Sequence, residues 1–593
     1  MKYLALLSGG KDSCYNLLHC HHNGHTLIAA ASLGPAPGKE ELDSYLYQTV
    51  GQDAIELVAR ALDVPLYRRV ITGSAIEQGS EYGSRTCIST AVNGDETEDL
   101  YELLSSVKSE HPDIQGVSVG AILSNYQRVR VEHVCRRLGL TPLCYLWQRN
   151  QGSLLSEMIE AGLEAVIIKV AGIGLTVNHL GRTLAEMEPT LRKLNNLYGL
   201  HICGEGGEYE TLTIDCPLFK HKIILEEVEN VIHSDNAFAT VAFLRMKKLQ
   251  LTPKVPTTFT ITVPPLLDDH VISLSTTSID LTLPTQGKMR TIQAHPLVPA
   301  SSVARGPWVS ISNVQVTHNN RGSGLTIEEE VRECFAIAKD LLAQYGLDLL
   351  NCTIINCYIS SMDLFAQVNA IYSTFFGSSP PARACVGVDL PESVNVRLDC
   401  LAFSGDSLGN RQALHVQGLS YWAPANIGPY SQAILADERV FISGQIGLIP
   451  SSLTLPSPRS MSFETALACQ HVDRIAQAMG SSDWSGYTQG VIYWHSNAKT
   501  VVPLKQALKN QNPPNEPLAA IIFIVVKELP KDALVEKQVL LHTGRRLMYD
   551  SDDGSSSLRP CRPLFMEGMN EYPGKFYNGV FTVLQRYYSD QWK

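Results

Sequence analysis

The sequence predicts an α/β protein, and three features carry that prediction. The first two hundred or so residues repeat a strand, loop and helix rhythm, prolines change the texture after Phe238, and two later segments each read as strands around a long helix. A chain of 593 residues has room for two to four domains. We read a nucleotide-binding α/β domain at 1–240, a linker at 241–290, α+β domains at 291–410 and 415–545, and a C-terminal extension at 546–593.

Within the first domain, strands are expected at Tyr3 to Leu7, Thr26 to Leu33, Leu66 to Ile71, Ile114 to Val119, Pro142 to Leu146, Ala165 to Val170 and His201 to Cys203. Helical periodicity lies between them at Asp12 to His22, Thr49 to Leu62, Arg128 to Leu138 and Ser153 to Ala161. Strands that alternate with helices predict a parallel sheet, because a parallel pair needs a crossover connection. Pro253, Pro256, Pro264, Pro265 and Pro284 break up short Thr- and Val-rich runs and mark the linker. Helices at Ile327 to Tyr345 and Phe463 to Met479 centre the two later segments, which form a weak internal repeat.

Composition narrows the class. With 44% hydrophobic and 18% charged residues this is an ordinary globular chain. The longest apolar run, Leu518 to Val526, is too short to cross a bilayer, and Leu7 leads into a polar glycine loop rather than a cleavage site, so neither membrane insertion nor secretion is expected. Fourteen cysteines without a C-x-x-C pair fit a reducing cytoplasm. A net charge of -11 argues against nucleic acid as a general partner, since that binding rests on Lys and Arg neutralising phosphates. His19, Cys20, His21, His22 and His25 crowd a helix end without a metal-ligand spacing, and we read them as structural.

The sharpest motif is Ser8-Gly9-Gly10-Lys11-Asp12-Ser13, between an apolar strand and an amphipathic helix. Two glycines permit a tight turn, and the helix start presents N–H groups to an anion. Lys11 brings positive charge to phosphate oxygens, Ser8 and Ser13 bring hydroxyls, and Asp12 is the candidate Mg2+ ligand. Its spacing is not that of G-x-x-x-x-G-K-[ST]. Two more loops follow predicted strands, where open α/β sheets bind ligands. Gly120, Ser124, Gln127 and Arg128, with Asn125 and Arg130, are candidate nucleotide or substrate contacts. The loop Cys203-Gly204-Glu205-Gly206-Gly207-Glu208-Tyr209-Glu210-Thr211 sets carboxylates among glycines, and Glu205 and Glu208 join Lys11 and Asp12 as candidate catalytic residues, for metal binding or for taking a proton from ammonium.

The first motif resembles the SGGxDS loop of the PP-loop (HUP-like) ATP pyrophosphatases, which implies ATP cleavage to AMP and pyrophosphate. Together with Leu146-Trp147-Gln148-Arg149-Asn150 and Asp215-Cys216-Pro217-Leu218-Phe219-Lys220, the three loops resemble the diphthine–ammonia ligase (diphthamide synthase) family over about Met1 to Phe243. That resemblance implies adenylylation of the diphthine carboxylate on translation elongation factor 2, then attack by ammonia. Asn125 departs from it, standing where an Asp is expected. Residue 2 is Lys rather than a nucleophilic cysteine and no G-x-C-x-G elbow occurs, so free ammonium is the simplest nitrogen source. The residues alone also fit a tRNA-modifying PP-loop enzyme or a nucleotide- and metabolite-sensing protein. A thiolating enzyme fits less well without a C-x-x-C pair.

Further along, Pro380 to Val388 and Val394 to Phe403 resemble the RidA (YjgF) family, as do Ala423 to Gln432 and Ser443 to Gly447. The resemblance implies that Arg383 binds a substrate carboxylate and that Asp399 is the family's acid. In the second copy these two positions read Ala519 and Gln538, so each copy keeps what the other has lost. We therefore expect one composite pocket of Arg383, Cys385 and Asp399 with Tyr430, or else a scaffold for homo-oligomers or for gripping a large protein substrate.

Overall fold

The computed structural model describes residues 1–35, 51, 54–87, 91–235, 240–255, 258–277, 299–316, 325–391, 393–405, 411–480, 486–509, 520–549 and 556–560. They form two compact units, one of residues 1–83, 89–264 and 417–425, the other of residues 84–88, 265–416 and 426 onward. Thr49, Pro256, Pro284, Ala519 and most of the C-terminal extension lie outside the described residues.

The N-terminal unit begins with β1 (Lys2–Leu6), α1 (Lys11–His22), β2 (Thr26–Gly34), α2 (Ile55–Leu62), β3 (Leu66–Val70), α3 (Glu96–Glu110), β4 (Gly116–Ser118), α4 (Asn125–Leu138) and β5 (Thr141–Leu143). The five strands lie parallel in the order β3-β2-β1-β4-β5. Alternating strands and helices thus build the expected parallel sheet. Strand order reverses direction between β1 and β4, which opens a crevice at their C-terminal ends.

Next come α5 (Gln151–Glu160), β6 (Glu164–Val170), α6 (Leu184–Tyr198), β7 (Tyr209–Asp215), β8 (His221–Asp235) and β9 (Thr240–Pro253). Here the sequence reading needs correction. β6 is not in the parallel sheet but in an antiparallel one of order β7-β6-β9-β8. Residues 240–253, expected as the end of the domain and the start of a linker, form a long strand that pairs with β8. The prolines that signal a linker begin only at its last residue, Pro253. His201 to Cys203 is a turn, not a strand, and β5 stops at Leu143 where residues 144–148 turn away.

Residues 417–425 come from far along the chain yet belong to this unit. Leu419 makes a parallel bridge to Leu143, donates its N–H to Pro142 O at 2.9 Å and accepts from Cys144 N at 2.8 Å. The segment therefore covers the β5 edge, whose open backbone groups would otherwise invite pairing. Gln417 N and Gly418 N donate to Glu132 Oε1 at 2.8 and 2.9 Å, and Arg128 Nη1 donates to Glu132 Oε2 at 2.6 Å. Tyr421 Oη accepts from Asn23 Nδ2 at 2.7 Å and meets His19 Nδ1 at 3.2 Å. His19 is buried against aromatic rings, and burial lowers its pKa to about 3, so it packs as a neutral ring.

The second unit opens with α7 (Asp269–Ser275), then β10 (Ser301–Arg305), β11 (Trp308–Gln315), α8 (Ile327–Ala343), β12 (Cys352–Ile359), α9 (Phe365–Tyr372), β13 (Ala382–Gly387) and β14 (Val396–Phe403). It continues with β15 (Arg411–Leu414), β16 (Ala433–Ala436), β17 (Arg439–Ile446), α10 (Met461–Met479), β18 (Tyr487–His495), α11 (Val501–Lys509), β19 (Ala520–Val525), β20 (Val535–His542) and a hairpin of β21 (Arg545–Tyr549) and β22 (Ser556–Pro560). The first copy has the order β10-β11-β14-β12-β13 and the second β15-β16-β17-β20-β18-β19. Apart from β15 the two orders correspond strand for strand, so the weak sequence repeat is a structural repeat. The sheets pack face to face through Ile354, Ala382 and Leu401 against Ile434, Phe441 and Leu540, and through Ala384 and Val386 against Ile446, Ile492 and Trp494. α8 covers the outer face of the first sheet with Val331, Phe335, Ala338 and Leu342.

Replacing Glu132 by Ala strands a buried guanidinium and two backbone N–H groups at once. It should destabilise the N-terminal unit by about 3–5 kcal/mol, read as an earlier N-terminal transition in denaturant unfolding. Glu132→Gln, which keeps an acceptor for Gln417 and Gly418, should fall between that variant and the native chain.

Candidate active site

Both edges of the crevice carry a sequence-predicted loop. The first, Ser8 to Ser13, leaves β1 and enters α1. Gly9 takes φ +77°, a left-handed turn that other residues resist. Ser8 Oγ accepts from Gly10 N at 3.2 Å and donates to Ser13 Oγ at 3.1 Å, and Ser13 Oγ donates to Gly10 O at 2.9 Å. The second loop leaves β4 at Gly120, which sits so close to the first that a Cβ there would lie 2.8 Å from Ser13 N. Only glycine lets the two loops meet.

The antiparallel sheet closes the loop from the other side. Thr213 N donates to Gly9 O at 2.8 Å, and Lys11 N donates to Thr211 Oγ1 at 3.0 Å. The Lys11 ammonium is 3% exposed; it donates to Asp12 Oδ2 at 2.8 Å and to Cys203 O, with the Tyr209 ring centroid 5.2 Å away. Burial works against its charge, but Asp12, Cys203 and Glu205 outweigh it and the pKa is raised. Lys11 stays a cation in the site.

The acidic loop is divided in its roles. Glu205 does not project freely: its carboxylate accepts from Ile122 N at 2.7 Å, Leu123 N at 2.7 and 2.9 Å and Ser124 N at 3.2 Å. It ties the acidic loop to the second loop. Glu208 Oε1 accepts from His201 N at 2.9 Å, while its Oε2 is buried with no hydrogen-bond partner among the described residues. Asp12 Oδ1 and His201 Nε2 are likewise buried and unpartnered. Buried polar atoms are rarely left unpaired, so three such atoms on Asp12, His201 and Glu208 mark a place for a polar ligand. Asp12 Oδ1 fits one ligand of a cation. No group of three or more His, Cys, Asp or Glu poised for a metal occurs among the described residues, so phosphate and water oxygens would complete the set.

The second loop places its residues unequally. Ser124 caps α4 by accepting from Gln127 N at 3.3 Å, and Asn125 Oδ1 accepts from Arg128 Nη2 at 3.1 Å. Arg128 and Arg130, expected as ligand contacts, are both buried. Arg128 pairs with Glu132 and stacks on Trp147 at 5.0 Å, and Arg130 donates to Tyr126 O at 2.9 Å and to Glu77 O between the Tyr82 and Tyr126 rings. They brace the loop from beneath. His201 escapes sequence reasoning because it sits in a stretch that reads as a strand; its signal is a histidine just before an acidic glycine loop.

A second cluster lies between the two repeat copies. Arg383 is 2% exposed on β13; Nη1 donates to Asn369 Oδ1 at 2.7 Å, and the Tyr372 and Tyr430 rings lie 4.9 and 5.4 Å from the guanidinium. Arg383 N donates to Ser443 Oγ at 2.8 Å. Cys385 is beside Cys357, whose hydrogen bond lowers its pKa against burial and with help from Arg383. Arg383, Cys385 and Tyr430 are therefore brought together. Asp399 is not: it shares register with Asn356 and Ala384, and side chains alternate along a strand, so it faces away from Arg383 and Cys385. Its Oδ1 accepts from Asn313 N at 2.8 Å.

The acid near Arg383 is Glu536 on β20, two residues before the Gln538 that the family pattern picks out. Burial, then Cys385, push its pKa up to about 8 while Arg383 pulls it down. Gly444 makes room for it, since a Cβ there would clash with Glu536 Oε1, and Oε2 has no hydrogen-bond partner among the described residues. The signal is in the sequence: in Val535-Glu536-Lys537-Gln538 a carboxylate lies one step along the same strand face.

Comparison with known proteins agrees with this division. Residues 85–142 match the Diphthamide synthase N-terminal domain, 150–248 the Diphthamide synthase C-terminal domain, and both 293–404 and 421–542 Endoribonuclease L-PSP. A diphthine–ammonia ligase of Schizosaccharomyces pombe is 42% identical over 91% of this chain and 87% of its own. One from Saccharomyces cerevisiae is 36% identical over 94% of this chain and 86% of its own. A human diphthine–ammonia ligase is 57% identical over 43% of this chain and 94% of its own. With the Ser8–Ser13 loop and an acidic loop joined at the sheet's switch point, and similarity that runs through both repeat copies, the chain belongs to the diphthine–ammonia ligase family.

Proposed function

We propose that the chain amidates the diphthine carboxylate on translation elongation factor 2, using ATP and ammonium and releasing AMP, pyrophosphate and diphthamide. The observation that carries this reading is the buried Lys11 ammonium between Asp12 and the acidic loop, with unpartnered polar atoms around it. A carboxylate resists attack by ammonia because its charge repels nucleophiles and oxide leaves poorly. In the first step a carboxylate oxygen bonds to the α-phosphorus and pyrophosphate departs. In the second, ammonia bonds to the acyl carbon, AMP leaves, and the nitrogen gives up a proton to become the amide.

In this mechanism Lys11 and the Ser8–Ser13 loop hold the phosphates and offset the charge that builds on them. Asp12 holds Mg2+, which would supply further positive charge to the phosphates when bound. Glu208, through its unpartnered Oε2, is placed to take the proton from ammonium. Glu205 keeps the two loops in register, and Arg128 supports α4 from below.

We infer that the repeat half carries a pocket for a small carboxylate, with Arg383 as the cation and Tyr430 and Glu536 from the other copy. Below about pH 8 Glu536 is neutral and the guanidinium is left for an anion; above it the Glu536 carboxylate competes.

Three outcomes are expected. With ammonium and diphthine-bearing elongation factor 2, the native chain should form AMP, and Lys11→Ala should lower kcat by about 10²–10³-fold; ADP as product, or AMP that is indifferent to the factor, would sink the ligase reading. For the pocket, calorimetric titration with a 2-keto acid should show affinity falling as pH rises through about 8, with Glu536→Gln flattening that dependence and Arg383→Ala abolishing binding. Because the raised Glu536 pKa favours the protonated folded state, its contribution to stability should be full below the ordinary value of 4.5, fall as pH rises from there, and be gone above about 8.

A further inference from the structure

His201 is held at both ends by the acidic loop. Its backbone N–H donates to Glu208 Oε1 at 2.9 Å, and its ring Nδ1 accepts from Glu205 N at 3.3 Å. A backbone N–H can only donate, so Nδ1 must present its lone pair and the proton of the neutral ring must sit on Nε2. Burial lowers the pKa, outweighing the pull of Glu205, Glu208 and Asp12, and so keeps the ring neutral at pH 7. Nε2 is buried and, among the described residues, meets no hydrogen-bond acceptor. His201 lies two residues before Cys203, whose carbonyl accepts from the Lys11 ammonium, which ties its loop to the Ser8–Ser13 loop.

We propose that His201 is a further catalytic residue of the ligase, a neutral imidazole whose Nε2–H donates a hydrogen bond to the α-phosphoryl group as the adenylate forms. The inference rests on the ligase reading and deepens it. The geometry excludes a general base, because the one unpartnered nitrogen already carries the proton. An imidazolium would also add a second positive charge beside the buried Lys11 ammonium. A neutral donor supplies a directed hydrogen bond without that penalty, and within a water-poor site such a donor acts most strongly where charge is growing. Glu205 thereby acts twice, since its carboxylate joins the two loops while its N–H sets the His201 tautomer.

Three measurements on the full chain test this. Asn at 201 keeps an acceptor where Nδ1 stands, so His201→Asn preserves the hold on Glu205 N but removes the donor. Its kcat for AMP formation should fall about a hundredfold, with the ATP dissociation constant within about threefold of native. His201→Gln, whose amide reaches the Nε2 position, should recover at least a tenth of the native rate. In the chain labelled with 15N-histidine, the His201 resonances should show Nε2 protonated and Nδ1 bare at pH 7. His201→Asn at native rate, or a proton on Nδ1, would overturn the inference while leaving the ligase reading intact. A native chain that forms no AMP with the diphthine-bearing factor would overturn both.

Discussion

An ammonium taken out of water needs negative charge and acceptors around it, or it sheds its proton. Lys11 is buried in this way, and everything near the candidate active site follows from how it is satisfied. Its partners come from two places in the sequence: Asp12 next door, and the Cys203 carbonyl at the start of the acidic loop. The loop after β1 and the loop before β7 are thereby locked together, with Thr211 and Thr213 completing the join. Glu205 extends the lock to the loop after β4. Three loops that the sequence separates become one rigid frame, and rigidity is what an in-line phosphoryl transfer requires.

The local elements are largely legible in the sequence. The spacing of apolar residues places α1, α4, α5, α8 and α10, and the loop after β1 announces itself by its glycines. What the sequence hides is partnership. β6 reads as a buried strand whichever sheet it joins, since its burial on both faces conceals which neighbour it has. β9 is lost because the change of texture after Phe238 and the proline at its end read as a linker, and only its first half alternates buried with part-buried residues. Arg128 and Arg130 read as ligand contacts because charge predicts exposure, and here Glu132, Trp147 and two tyrosines bury both. The covering segment 417–425 leaves no local trace, as its bond to Glu132 joins residues 285 apart.

The same limit shows in the repeat half. Side-chain facing along a strand repeats every two residues, so a pattern match that is off by two still lands on the correct face. Gln538 and Glu536 lie on one face of β20, and only the three-dimensional neighbours tell which of them approaches Arg383. Asp399 fails for a different reason: on β14 its position points away from Arg383, and Asn313 claims its carboxylate.

This asymmetry has a physical logic. A guanidinium and a carboxylate buried together in an empty pocket would pair and close it. Here the acid is pushed up to about 8, so near neutral pH it remains protonated and Arg383 is left with aromatic faces and the Asn369 amide oxygen. Tyrosine faces and an amide oxygen stabilise the cation without neutralising it. The second copy reads Ala519 at the arginine's position, so the repeat brings no second guanidinium to that place.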